Sequence, residues 1–241
     1  MKVDSVTDIG LVRAQNEDDV ATGLLPDGAW AVVCDGMGGA NAGEVASQNA
    51  VQVITDTICQ NYSEGASDNA IKYLLHDALC EANTILFNLS NEYQHLSGMG
   101  TTAVAAVITQ GKAHVCHAGD SRAYLLREES VQQVTKDHSI VQELVDAGTL
   151  TPEQAQLHPQ RNIITRCLGV RESVDVDYRE FPVQPGDVLL LCSDGLSTYF
   201  TEEELLQESR QRDPSSLIRR LVELAKERGG RDNITAAVIE N

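Results

Sequence analysis

Four aspartates stand where apolar, strand-like runs end or begin: Asp35 after 29–34, Asp120 after 112–118, Asp194 after 188–192, and Asp232 before 234–239. Three adjoin glycine, which lacks a Cβ and lets the backbone turn sharply or approach a ligand closely. Taken singly, an Asp-Gly pair is ordinary turn chemistry. Taken together, carboxylates leaving one body of sheet would converge, and they repel one another unless a cation neutralises them. Oxygen-only donors select hard ions such as Mg²⁺ or Mn²⁺. Two such ions a few ångströms apart can hold a water or hydroxide in line with a phosphorus atom, so that hydrolysis needs no protein nucleophile.

The elements that must position these groups follow from apolar spacing. A polar stretch, 13–19, interrupts an N-terminal strand region and reads as a loop carrying Arg13 and Asp18. Helical periodicity is expected over 43–58, and more clearly over 71–89, where Ile71, Leu75, Ala78, Ala82, Leu86 and Leu89 form one stripe. Short β-type runs fill 101–134, with turns at Gln110-Gly111 and near Glu128-Glu129. The segment 137–168 is different, with two short helical patterns, the second opened by Thr151-Pro152, and it reads as an insertion between strand-rich blocks. Strands resume at 174–181 and 188–192. Thr201 with Glu204 forms a capping box, Asp213-Pro214 opens another helix and Gly229-Gly230 closes it. The Cys34-Asp35-Gly36 and Cys192-Ser193-Asp194-Gly195 units each follow a strand and precede two helices, which suggests two pseudo-symmetric halves.

Composition bounds the class. The chain has 241 residues, 42% of them hydrophobic, and a net charge of −18, which suits a globular body and disfavours nucleic acid and anionic membranes. The N-terminus lacks the apolar core of a secretory signal and no apolar run is long enough to span a bilayer, so a cytoplasmic location is expected. The six cysteines contain no C-x-x-C pair and are expected to be reduced and mostly buried.

The motifs R-A-Q-N-E-D, V-C-D-G-M-G-G, G-M-G-T-T, A-G-D-S-R, L-C-S-D-G-L and G-G-R-D-N-I-T occur in this order from Arg13 to Thr235. In this succession the chain resembles the type-2C metal-dependent serine/threonine protein phosphatases of compact bacterial type. The resemblance implies an α+β fold, a four-layer αββα sandwich of two mainly antiparallel sheets flanked by helix pairs. It implies one catalytic domain over 1–241, with 137–168 as an inserted flap that influences substrate choice. It implies phosphoserine and phosphothreonine hydrolysis with two catalytic Mn²⁺ or Mg²⁺ ions. Asp35 would bridge them, the Gly36 carbonyl would bind the second, Asp194 and Asp232 would serve the first, and Asp120 with Asp194 would hold a third, weaker ion. Asp18 would order water on the second metal, and Arg13 would grip the substrate phosphate. Expected partners are phosphorylated proteins and an opposing serine/threonine kinase in a signalling system, with no nucleic acid or membrane, and the chain is expected to be a monomer.

The pattern departs from its relatives at one place. Bacterial relatives usually carry histidine where Ala40 stands, and an imidazole there is a natural proton donor to the leaving alkoxide. His138 in D-H-S is the substitute general acid by motif, with His158 behind it. Two competing readings stay open on the sequence. C-x5-R spacing from Cys116 to Arg122 matches cysteine-dependent phosphatases, although a strand rather than a helix is expected after the arginine. A catalytically weak or silent phosphoprotein-binding member of the same fold is the other.

Overall fold

The computed structural model describes residues 1–39 and 42–241, so Ala40 and its departure from the relatives lie outside the described residues. Strands β1 (Lys2–Asp8), β2 (Asp18–Leu25) and β3 (Gly28–Met37) lead to helices α1 (Ala42–Asn61) and α2 (Asp68–Glu92). A run of short strands follows: β4 (Gly100–Thr101), β5 (Ala103–Thr109), β6 (Lys112–Ala118), β7 (Arg122–Arg127) and β8 (Ser130–Gln133). Helices α3 (Ile140–Asp146) and α4 (Pro152–Gln156) occupy the inserted segment. The chain then forms β9 (Asp177–Pro182), β10 (Val188–Cys192), α5 (Asp194–Ser197), α6 (Glu202–Ser209), α7 (Pro214–Glu227) and β11 (Ile234–Glu240).

The strands make two antiparallel sheets, one ordered β1-β11-β10-β7-β8 and the other β2-β3-β5-β6-β9, with β4 added to β3. Period-two alternation divides each central strand between two cores. Ala31 and Val33 of β3 pack between the sheets against Leu189, Leu191, Ala237 and Ile239. Val32 and Cys34 face outward, under Ile54 of α1 and Leu75 and Leu79 of α2. On the other sheet, Leu190, Cys192 and Val238 face outward under Leu205 of α6 and Leu217 and Leu221 of α7. Burial on both faces explains why these strands read as unbroken apolar runs. The result is the expected αββα sandwich.

Local chemistry ends the elements where the sequence places the signals. Thr151 with Gln154 and Thr201 with Glu204 form capping boxes, and Asp213 caps α7 ahead of Pro214. Some boundaries differ: β2 already begins at Asp18, inside the expected loop, and α1 and α2 extend past the expected ends. Strand β9 begins at Asp177 rather than near residue 174, because Val174 and Val176 pack against the α1–α2 layer and pairing with β6 starts at Asp177 opposite His117. The sheets are also not contiguous halves of the sequence: β1 joins β10 and β11, whereas β9 joins β6. All six cysteines are free; Cys34, Cys116 and Cys192 are buried, Cys80 and Cys167 half-buried, and Cys59 exposed. Among the described residues no helix is long and apolar enough to cross a membrane.

Candidate active site

The aspartates come together because each sheet delivers its own. In the β2–β3 register Asp18 lies directly opposite Asp35, which places both carboxylates at one end of the second sheet. Asp194 starts α5 just beyond β10, and Asp232 precedes β11, the neighbour of β10 in the first sheet. Asp120 lies between β6 and β7, at the crossing from one sheet to the other. The carboxyls of Asp35 and Asp194 act on one another, so the two sheets meet at these side chains.

Close backbone contacts fix the two Asp-Gly units. A Cβ on Gly36 would overlap the Gly43 carbonyl, and one on Gly195 would overlap the Asn233 carbonyl, so both positions require glycine. The Asp35 backbone is clamped by the G-T-T motif. Its N–H donates to Thr102 Oγ1 at 3.0 Å, while its carbonyl accepts from Thr102 N–H at 2.8 Å and Thr101 Oγ1 at 2.9 Å. Asp18, 6% exposed, accepts a 2.7 Å hydrogen bond from the Ser193 hydroxyl, whose oxygen accepts from Thr235 N–H. Asn233 ties the polar N-terminal loop to β11. It accepts from Glu17 N–H at 2.8 Å and donates to the carbonyls of Ile9 at 3.0 Å and Gln15 at 2.9 Å.

The electrostatics follow from this crowding. Burial raises the Asp35 carboxyl well above the usual range, and Asp18, Asp194, Asp120 and Asp232 push it further the same way. Burial first, then the Asp194 and Asp232 charges, push Asp18 up to about 7 despite the Ser193 and Thr235 hydrogen bonds. Asp120 is pushed to about 8 by burial, then by Asp194 and Asp137. Asp194 is raised by burial and by Asp232. Among the described residues the only ion pair made by these five aspartates is that of Asp232 with Arg13, at 2.8 Å. That contact holds the guanidinium firmly charged. Five carboxylates, four of them partly open to solvent, fit hard divalent cations.

Sequence reasoning missed the supporting groups. Glu17 lies 3.7 Å from Arg13, and its carboxyl is raised by burial. Arg122 of A-G-D-S-R grips Asp137 at 2.7 Å rather than binding an anion. Cys116 is buried in mid-strand with its thiol pushed up to about 12, so the C-x5-R spacing forms no phosphate loop.

His138 lies against Gly119, the chain neighbour of Asp120, its backbone N–H donating to the Gly119 carbonyl at 3.0 Å. Its Nδ1 accepts from Gly119 N–H at 3.1 Å, its Nε2 lies 3.4 Å from Asp177, and its ring stacks on His117 with centroids 4.6 Å apart and planes inclined by 9°. His158 is likewise occupied locally, accepting from Gln160 N–H. His117, His138 and Asp177 do place three ligand atoms within 4.8 Å of one another. An imidazole lone pair lies in its ring plane, however, and two stacked planes share no point for an ion.

Comparison with known proteins shows the family and the fold. Residues 12–237 match the family model described as protein phosphatase 2C. The chain is similar to the serine/threonine phosphatase stp of Listeria monocytogenes, 38% identical over 238 residues, covering 97% of this chain and 93% of that one. The crystal structure of the serine/threonine phosphatase Stp1 from Staphylococcus aureus superposes with a TM-score of 0.93 at 32% identity, covering 100% of this chain and 94% of that one. The catalytic domain of the serine/threonine phosphatase PstP, crystallised with two manganese ions, superposes with a TM-score of 0.83 at 35% identity, covering 99% and 97%.

Proposed function

This chain belongs to the protein phosphatase 2C family and is a metal-dependent serine/threonine protein phosphatase, and on that premise we propose which of its residues do the work. Asp35, the Gly36 carbonyl, Asp194 and Asp232 would hold the two catalytic ions, Asp35 shared between them, Gly36 serving one and Asp194 and Asp232 the other. Asp120 with Asp194 would hold a third ion, and Asp18 would order water. Bound there, Mn²⁺ or Mg²⁺ ions supply positive charge for the phosphoryl oxygens and an activated water for attack at phosphorus. The observation that carries this assignment is the convergence of five carboxylates from both sheets, with Arg13 paired to Asp232.

Arg13 stands at the mouth with its side chain 46% exposed, anchored by Asp232 yet with donors left for phosphate oxygens. The chain thereby positions the phosphate before reaction rather than during it. We assign no proton transfer to His138, whose nitrogens are engaged by Gly119 and Asp177. The segment 137–168 is proposed as a flap within a single catalytic domain. It is tied to the rest by Leu168 N–H to the Thr101 carbonyl at 2.8 Å and His138 N–H to the Gly119 carbonyl at 3.0 Å. The finer reading is a monomer acting in cytoplasmic signalling on phosphoproteins modified by a serine/threonine kinase.

The test combines turnover with a binding readout. With Mn²⁺ the protein is expected to hydrolyse p-nitrophenyl phosphate and a phosphothreonine peptide, and chelator should abolish both. At 100-fold excess over its dissociation constant the ion should stabilise the fold by about 2.7 kcal/mol. Asp194→Ala should lose turnover and most of that stabilisation. Mn²⁺-independent turnover, or an unchanged manganese-induced melting shift in Asp194→Ala, would refute the assignment.

A further inference from the structure

Large apolar side chains are exposed in an uneven way. Ile9, Leu11 and Val12, at 40%, 62% and 68% exposure, supply three of the ten exposed large hydrophobics among the described residues, and they fall within four positions just ahead of Arg13. Their backbone is held on several sides. Gly10 N–H donates to Asp8 Oδ1 at 2.8 Å, Leu11 N–H donates to the Gly230 carbonyl at 2.7 Å, and the Ile9 carbonyl accepts from Asn233. Gly10 adopts φ +78, and a Cβ there would overlap the Asp232 carbonyl, so this turn rests directly on the backbone of a proposed metal ligand. A Cβ added to Gly230 would come 3.0 Å from Leu11 Cγ, which places that side chain over the G-G-R-D-N loop. A fixed turn that presents aliphatic groups to water beside a charged site gains nothing for folding, and it is pre-organised for contact.

We propose that Leu11 and Val12 form an aliphatic shelf for the residue flanking the phosphorylated side chain, making the enzyme prefer phosphopeptides with a leucine- or valine-like neighbour. This rests on the phosphatase reading above. A phosphate held by Arg13 forces the substrate chain to cross the adjoining surface, and on the Asp232 side that surface is Leu11 and Val12. Contact there removes apolar area from water on both partners, without changing the reacting centre. The preference therefore belongs in KM.

Two phosphothreonine peptides of equal length and charge, flanked by leucine or by serine, test the shelf alongside p-nitrophenyl phosphate. Wild type should favour the leucine peptide by about fivefold in kcat/KM, chiefly through KM. Leu11→Ser combined with Val12→Ser should bring that ratio close to one, with p-nitrophenyl phosphate turnover retained. Equal use of both peptides by wild type, or a ratio unchanged in the double variant, would overturn the shelf and leave the phosphatase reading standing. No turnover of any substrate with Mn²⁺ would overturn both.

Discussion

Replacing Asn233 by alanine isolates the clamp that joins the N-terminal loop to the first sheet. The side chain is 3% exposed and makes three hydrogen bonds, one accepted from Glu17 N–H and two donated to Ile9 and Gln15. At about 1 kcal/mol per bond the loss is about 3 kcal/mol. For a chain of this size that lowers the melting temperature by about 6–12 °C. The freed loop carries Arg13, Glu17 and Asp18, so the geometry at the aspartates should loosen as well, and kcat/KM on p-nitrophenyl phosphate should fall by about 100-fold. Circular-dichroism melting in chelator measures the first effect and Mn²⁺-supported turnover the second. Asn49→Ala serves as the control. It removes one bond to the Val45 carbonyl on α1 while improving helix propensity, and should cost less than about 0.5 kcal/mol. A melting shift below about 2 °C for Asn233→Ala, or a full shift with unchanged kcat/KM, would refute the clamp.

Two further outcomes follow from the packing. His114 is buried on β6 and its pKa is lowered by that burial, so the unfolded chain binds a proton near pH 6.5 that the folded chain resists. Stability should therefore fall as pH drops through 6.5, and His114→Gln should reduce the slope of unfolding free energy between pH 6.5 and 5.5, by at most about 1.4 kcal/mol per pH unit; equal slopes would remove His114 from the effect. Gly195→Ala forces a Cβ into the Asn233 carbonyl, and a lower urea midpoint corresponding to about 2–3 kcal/mol is expected, whereas an unchanged midpoint would show that the backbone can yield.

Much of this site was legible because its key residues sit at changes of sequence texture. Asp35 and Asp194 end apolar runs that prove to be central strands buried on both faces, and Asp232 precedes another. The N-cap at Thr151 ahead of Pro152 and the capping box at Thr201 were equally plain, since each is complete within four residues. What stayed hidden depends on distant pairing. The hydrogen bond of Ser193 with Asp18 spans 175 residues and that of Asn233 with Glu17 spans 216, so nothing in either neighbourhood announces its partner. His138 shows the limit of reading a motif. Its motif suggests chemistry, but its nitrogens are taken up by backbone and by Asp177.

The order of strands in the first sheet has a consequence for the timing of assembly. β1 is an edge strand whose ladder partner is β11, with Lys2 opposite Glu240 and Asp8 opposite Ile234. On the ribosome β1 therefore waits for a strand made more than two hundred residues later, and β11 must slot between β1 and β10. Closing so long a loop is slow compared with forming the neighbouring hairpins of β5, β6, β7 and β8. The same late segment brings Asp232 and the Asn233 clamp. A nascent chain can thus bury α1 and α2 on the second sheet before it has the full set of proposed metal ligands, which should keep an unfinished phosphatase silent.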